Sequence, residues 1–381
     1  MIPITKPNLG LEEVEAVKKV IVSGWIVQGP KVQEFENQFA QYTKAKHACA
    51  VSNCTTGLHL ALLAVGVKPG DAVVTVSHSF IATANSIRYC GAEPIFVDVD
   101  LDTYNICVCD LEKVLKRNKA RVSAILVVHQ MGMPCELAPI LKLAKKYKLP
   151  VVEDAACAAG SEYSHDGGKT FEKIGRPHGD IACFSFHPRK VLVTGEGGML
   201  TTNNAKYDAK FRLLRHQGMS ISDLKRHQSK KIIFETYPEL GYNYRMTDIQ
   251  AALGIEQLKK LDGMISRRRE LASIYLNSLK DISWLALPIE PAHCHSNWQS
   301  FAVRVLKNAP LKRNRLMQHL LDQGIATRPG IMNAHQEKVY KNKKWLLENS
   351  QTARDTAIIL PLYHHMTQDE IEKVIEVIKN V

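Results

Sequence analysis

The 381-residue sequence contains no apolar run long enough to cross a bilayer as a helix, so no transmembrane helix is expected. It begins MIPITKPNLGLEE, with no basic region ahead of an apolar stretch, and a signal peptide is not expected there. The nine cysteines are odd in number and scattered, with Cys49 and Cys183 set in apolar strands, which argues against a secreted disulfide framework. Cys107 with Cys109 is too isolated to suggest a metal site, and no metal is expected. Together these absences point to the cytoplasm. Repeats, low-complexity segments and evident disordered linkers are also lacking. No Gly-x-x-x-x-Gly-Lys-Ser/Thr pattern is present, which counts against a nucleoside triphosphate loop. No Gly-x-Gly-x-x-Gly follows a strand, which counts against a nicotinamide dehydrogenase.

The charge balance is uneven, at +12. Its basic residues are spread out, in clusters such as Lys145, Lys146 and Lys148 or Arg267 to Arg269, which read as solvated helix faces. No helix-turn-helix, RNA-binding or zinc-finger signature accompanies them, so a phosphorylated small molecule suits the charge better than nucleic acid.

At 45% hydrophobic and 23% charged, the composition is that of a globular protein with length for two domains. From about residue 47 the pattern alternates short apolar strands with amphipathic helices. It predicts strands at Ala48–Val51, Val73–Val76, Pro94–Val97, Ala124–Val128, Val151–Glu153, Ile181–Phe186 and Met199–Thr202. Helices are predicted over Leu58–Val65, Ile81–Tyr89, Asp110–Lys116 and Glu136–Tyr147. Buried strands separated by helices imply an α/β fold, a mostly parallel sheet covered on both faces. After Leu240 the character changes. A helix from Asp248 to about Leu261 is expected to lead into a basic helix, Arg267–Leu279, then one clear strand, Phe301–Val305, with helices near Arg315–Asp322 and Asp369–Ile378. The division expected is a large domain over residues 1–260 and a smaller α+β domain over 261–381, with the site at the carboxyl ends of the strands.

Several segments carry chemistry. In VVEDAACAAG, Asp154 ends a strand, where a carboxylate caps the next turn or pairs with a buried cation such as a protonated pyridine nitrogen. In DIACFSFHPRKVLVTGEGGML, a strand ends at Ser185, His187 and Pro188 break it, and Lys190 follows. A lysine in such a turn is either solvated or, with its stem packed by Phe186, Val191 and Leu192, partly desolvated. Desolvation depresses its pKa and leaves a neutral amine able to attack an aldehyde. For His187, packing or support of the site is favoured over metal ligation. In VSNCTTGLHLALLAVG, a strand runs through small polar residues into a helix whose N-terminus is either simply capped or cradles an anion such as phosphate. Phe80 opens another helix and is either core or a stacking partner for a planar ring. In ELGYNYRMTDIQAALG, Tyr242, Asn243, Tyr244 and Arg245 precede a helix capped by Thr247, a composition that suits an interface or a site edge.

Taken together and in this order, these segments resemble the DegT-type sugar aminotransferases, fold type I pyridoxal phosphate enzymes of amino-sugar pathways. FSFHPRK with TGEGGM and ELGYNYRMTDIQAALG are the most specific motifs. The resemblance extends from KPNLGLEEVEAV through SGWIVQGPKVQEFE to LPLYHHMTQDEIE, essentially the whole sequence. It implies pyridoxal 5′-phosphate as cofactor, Lys190 as its Schiff-base lysine and Asp154 as partner of the pyridine nitrogen. It places the phosphate on Thr55, Thr56 and Ser185, and Phe80 on the ring. Asn243 is implied to reach the phosphate of the neighbouring subunit, which makes a homodimer necessary for a complete site. Cys157 departs from the pattern, since glutamine or histidine is common there beside the ring's phenolic oxygen and a thiol is a weak donor. The implied substrates are glutamate and a nucleotide-linked keto-sugar, most often a 4-keto-6-deoxyhexose and less often a 3-keto sugar, with Arg245 and His335 as candidate substrate contacts. Other members act on cyclitols or other keto-compounds. Members that are dehydratases carry histidine in place of the lysine, against which Lys190 argues. A sensor that binds the cofactor without turnover is the competing class.

Overall fold

Runs such as AVVTV at residues 72–76 are buried at every position, so neither face of the strand reaches water. The computed structural model describes every residue except 119–120, 222–225, 227–228, 230 and 342–343. Strands β1 (His47–Val51), β2 (Ala72–Val76), β3 (Glu93–Val97), β4 (Val122–Val128) and β5 (Val151–Asp154) are joined by helices that shield the sheet. After β5 come two short strands, β6 (Glu162–Tyr163) and β7 (Glu172–Lys173), then β8 (Ile181–Ser185) and β9 (Gly198–Thr202). The main sheet has seven strands in the order β1-β9-β8-β5-β4-β2-β3. Pairings β2/β3, β2/β4, β4/β5 and β5/β8 are parallel, and only β9 runs against its neighbours. All seven predicted strands are present, with ends shifted by one or two residues.

The helix after β1 begins earlier than expected, at Cys54, because Asn53 caps it: its Oδ1 accepts from the Thr56 amide at 2.9 Å. Gly198 on β9 makes this possible, since a Cβ there would lie 2.6–2.8 Å from backbone atoms of Asn53 and Cys54. The turn ahead of the helix is thereby pressed against the sheet.

The two helices expected between Asp248 and Leu279 are one, 32 residues long. Its buried residues Leu258, Leu261, Met264, Ile265, Arg268, Leu271, Ala272, Tyr275 and Leu279 keep helical spacing through Gly263. That continuous buried face outweighs the ~1 kcal/mol propensity cost of one glycine. Residue 260 therefore lies inside a helix that both halves of the chain share. Thr247 and Gln250 form its capping box, and Asp248 reaches back to accept from the amides of Gly29, Lys31 and Val32 at 2.8–3.0 Å. A carboxylate thus closes the N-terminus of the helix Pro30–Thr43 from 216 or more residues away.

The C-terminal part carries β10 (Leu285–Ala286), β11 (Cys294–His295), β12 (Phe301–Val305), β13 (Arg328–Pro329) and β14 (Ala357–Leu360). Four of these form an antiparallel sheet, β10-β12-β14-β13, while β11 joins β6 and β7 in a three-stranded sheet. Ile2 pairs with Ile325, so the start of the chain docks on this part. No helix among the described residues is long and apolar enough to cross a membrane.

Candidate active site

Strands β5 and β8 are parallel neighbours, with Asp154 opposite Cys183, so Asp154 and Ser185 lie at adjacent carboxyl ends. Asp154 is 4% exposed. Its Oδ2 accepts from the Thr83 hydroxyl at 2.8 Å and its Oδ1 from the Ala156 amide at 3.2 Å. Burial pushes its pKa up, opposed in part by these donors and by the charges of Lys190 and His129. A buried carboxylate whose hydrogen bonds come from neutral donors favours a cation beside it, and a protonated ring nitrogen would fit there. On the other face of β5, Glu153 pairs with His129 at 3.0 Å, both fully buried, and accepts from the Gly179 amide at 2.7 Å.

The chain leaves β8 through a turn closed by the Lys190 amide on the His187 carbonyl, 2.8 Å. Lys190 is half-buried and its Nζ donates to Cys157 Sγ at 3.0 Å. Burial pulls the lysine pKa down, but Cys157, then Cys54 and Asp154, act more strongly in the opposite direction. The net shift is upward, which corrects the expectation of a depressed pKa: thiols and a carboxylate surround the amine, not only apolar groups. Gln299 clamps this turn. Its Oε1 accepts from the Val191 amide at 3.0 Å and its Nε2 donates to the Arg189 carbonyl at 2.6 Å.

Gln299 is itself held in an unusual way. Trp298 before it adopts φ 48°, in the left-handed region that bulky residues avoid. Buried Arg268 bonds the carbonyls of Trp298 (2.9 Å) and Gln299 (2.7 Å), fixing the strained segment. Burial without a counter-charge lowers the Arg268 pKa to about 10.

Thr55 and Thr56 occupy the first turn of the helix Cys54–Ala64. The Thr56 hydroxyl donates to the Asn53 carbonyl at 2.8 Å and lies 3.2 Å from that of Ser52. Phe80 is 64% exposed, so it is not core. Thr55, Thr56, Phe80, Asp154, Cys157, Ser185 and Lys190 all line one cleft of about 1270 Å³. His187 lines it too, with its Nδ1 accepting from the Arg189 amide at 3.2 Å.

Three expected residues lie elsewhere. Asn243 is exposed and pairs by its backbone with His216. Arg245 directs a guanidinium nitrogen to His216 Nδ1 at 3.0 Å, and His335 Nδ1 bonds the Ser77 hydroxyl at 2.6 Å. None of the three lines the cleft. Arg313, Arg328 and Arg354 do, and sequence reasoning missed them because they come from separate elements. Thr83 and Gln299 were missed for the same reason.

A sheet of this topology with a lysine and a buried strand-end carboxylate in one cleft is the architecture of the fold type I aminotransferases, as solved structures make plain. Streptococcus pneumoniae Spr1654, solved in its PLP form, is 25% identical with a TM-score of 0.89, over 100% of this chain and 98% of that one. Helicobacter pylori PseC, an aminotransferase of pseudoaminic acid biosynthesis, matches at 25% identity and TM-score 0.89 over the same shares. The family model described as the DegT/DnrJ/EryC1/StrS aminotransferase family matches residues 7–379, and the chain belongs to that family of pyridoxal phosphate-dependent enzymes. The spore coat polysaccharide biosynthesis protein SpsC of Bacillus subtilis is 36% identical over 100% of this chain and 97% of its own length.

Proposed function

We propose that this sugar aminotransferase family member is a cytoplasmic homodimer that moves an amino group from glutamate to a nucleotide-linked keto-sugar. A 4-keto-6-deoxyhexose is favoured over a 3-keto sugar. The observation that carries the reading is the shared cleft of Lys190, buried Asp154 and the helix N-terminus bearing Thr55 and Thr56. Pyridoxal phosphate, when bound, supplies an electron sink for the carbon that gives up or gains the amino group. Asp154 would hold a proton on the ring nitrogen, and its burial would make that charge pair strong. Lys190 Nζ would anchor the cofactor and would serve as the base that moves the proton in each half-reaction. Thr55, Thr56 and Ser185 would hold the phosphate, Phe80 would cover the ring, and Asn243 of the neighbouring subunit would complete the phosphate contacts. Cys157 contacts the amine of Lys190 and would lie beside the ring.

For the acceptor, the arginines supply the argument. Arg313, Arg328 and Arg354 bring three guanidinium groups to the cleft, matching the charge and fork geometry of a diphosphate. A volume of about 1270 Å³ exceeds the roughly 300–1,000 Å³ of an ordinary small-molecule pocket, leaving space for a sugar nucleotide beside the cofactor. The test is a two-stage assay: glutamate first, watching for pyridoxamine phosphate, then a panel of nucleotide-linked 4-keto and 3-keto sugars. Conversion of the cofactor followed by amination of a 4-keto sugar is the expected result. Failure of glutamate to convert the cofactor rejects the donor, and turnover only with nucleotide-free keto-compounds rejects the acceptor.

A further inference from the structure

Away from the cleft, the excursion between β5 and β8 gathers three side chains with metal-binding atoms. Glu172 lies on β7, directly across from Tyr163 on β6. His165 follows β6 by two residues and His178 follows β7 by five. His165 Nε2 and His178 Nδ1 are 3.0 Å apart, and His178 Nδ1 is 3.9 Å from Glu172 Oε2. All three ligand atoms fall within 4.8 Å of one another. Two ligands of a tetrahedral zinc ion with bonds near 2.1 Å are separated by about 3.4 Å, and the observed distances bracket that value.

We propose that His165, His178 and Glu172 form a binding site for a divalent cation of the zinc class, separate from the aminotransferase cleft. Two imidazoles and one carboxylate suit zinc, whereas an all-oxygen set would suit magnesium or calcium. The exposed His165 leaves the fourth position to water.

The surroundings prepare the site. His178 has a side chain only 2% exposed, and its Nε2 is buried without a hydrogen-bond partner. With the proton on Nε2, its Nδ1 is the lone-pair nitrogen that faces the other two ligands. His165 then needs only the tautomer with its proton on Nδ1, so no net proton is lost from the imidazoles. Asp166 fixes the loop beside His165: its Oδ1 accepts from the amides of Lys169 and Thr170 at 3.0 and 2.9 Å, and from the Ser164 hydroxyl at 2.6 Å. The Tyr163 ring packs edge-on against His165 at 4.9 Å between centroids. Against the cation stands Arg176, which pairs with Glu172 through Oε1 and leaves Oε2 on the side of the histidines. None of the three ligands lines the cleft, and the Gly179 amide after His178 bonds Glu153, next to Asp154. A bound ion would therefore brace the scaffold behind the site without touching the reacting atoms.

The experiment uses cofactor-loaded protein stripped with a chelator and then titrated with zinc chloride by calorimetry. A Cys107→Ser/Cys109→Ser background removes the other group of possible ligands among the described residues, Cys107, Cys109 and Asp110. One equivalent of zinc per chain is expected, with a rise in melting temperature. His165→Ala and Glu172→Gln should each weaken binding at least about tenfold while the glutamate half-reaction stays at the parent rate. His165 is exposed, so its removal leaves the fold intact, and an unchanged melting temperature of the metal-free variant checks this. No zinc uptake, or equal affinity in the parent and His165→Ala, overturns the site.

Discussion

Gln299 brackets Lys190: its amide oxygen takes the hydrogen of the residue after the lysine and its amide nitrogen bonds the carbonyl of the residue before it. The lysine's backbone is thus fixed by a side chain that bonds the next residue, Val191, from 108 positions further along, itself held by Arg268 on the long helix. We expect Gln299→Ala to retain cofactor but lower kcat about 10- to 100-fold, as a misaimed amine would. The split between kcat and KM checks this. A KM effect with unchanged kcat would assign Gln299 to substrate binding instead.

Asp154→Asn should retain the fold and lose activity by about 10²–10³-fold or more, because an amide does not hold a proton on the ring nitrogen. Glutamate half-reaction rates measure it. The cofactor-free protein should respond in the opposite sense. Burial raises the Asp154 pKa, so the folded state binds the proton more tightly, and the ionised form costs stability as pH rises through that raised value. The melting temperature of cofactor-free Asp154→Asn should therefore gain on wild type with rising pH and converge with it in acid.

Cys157 raises the Lys190 pKa more than any other neighbour does. Cys157→Ala should lower it and increase the neutral amine fraction at neutral pH. Cofactor capture by the stripped protein, followed by absorbance, should be faster, with its pH profile displaced to lower pH. An unmoved profile would mean that the thiol contact at 3.0 Å carries no electrostatic weight.

Glu36 provides the clearest stability test outside the site. It is 3% exposed and pairs with Arg215, 4% exposed, and with Arg212 at 2.8 Å. Burial works against its charge, but the two arginines win and hold its pKa below the ordinary carboxylate value. Glu36→Gln strands Arg215 in the interior and should cost about 3–5 kcal/mol in denaturant unfolding. Because the folded pKa is depressed, the stabilisation is complete above the unfolded carboxylate pKa and is lost as pH falls through the lower folded value.

Much of this was legible in the sequence because it is local. All seven strands of the main sheet announce themselves as apolar runs; Asp154 ends one of them and Lys190 stands in the turn after another. What was not legible depends on distant contacts. Two-residue strands such as Arg328–Pro329 are too short to show alternation. The continuity of the helix through Gly263 is decided by what packs on it, and Gln299, Thr83 and the cleft arginines reach the site only through tertiary structure. Lys190 illustrates both sides: its position was readable, but the direction of its pKa was not, since Cys157 and Cys54 come to it from two other segments.

Assembly is the remaining prediction. Asn243 is exposed and does not line its own chain's cleft, in a stretch where Tyr242 and Tyr244 stack at 4.9 Å between centroids. That is the placement a residue needs if it serves a neighbour, and the proposed homodimer gives it the neighbour's phosphate. A hydrogen bond to a charged group is worth about 1.5–3 kcal/mol, so Asn243→Ala should weaken cofactor binding roughly ten- to hundred-fold. Mixing Lys190→Ala chains with Asn243→Ala chains then separates shared sites from independent ones. In a shared arrangement, the heterodimer gathers both lesions in one site and leaves its second site whole. Activity of the mixture should rise above that of either parent once subunits have exchanged. With exchange proven by mass spectrometry, an absence of complementation together with normal cofactor affinity in Asn243→Ala would show that each chain completes its own site.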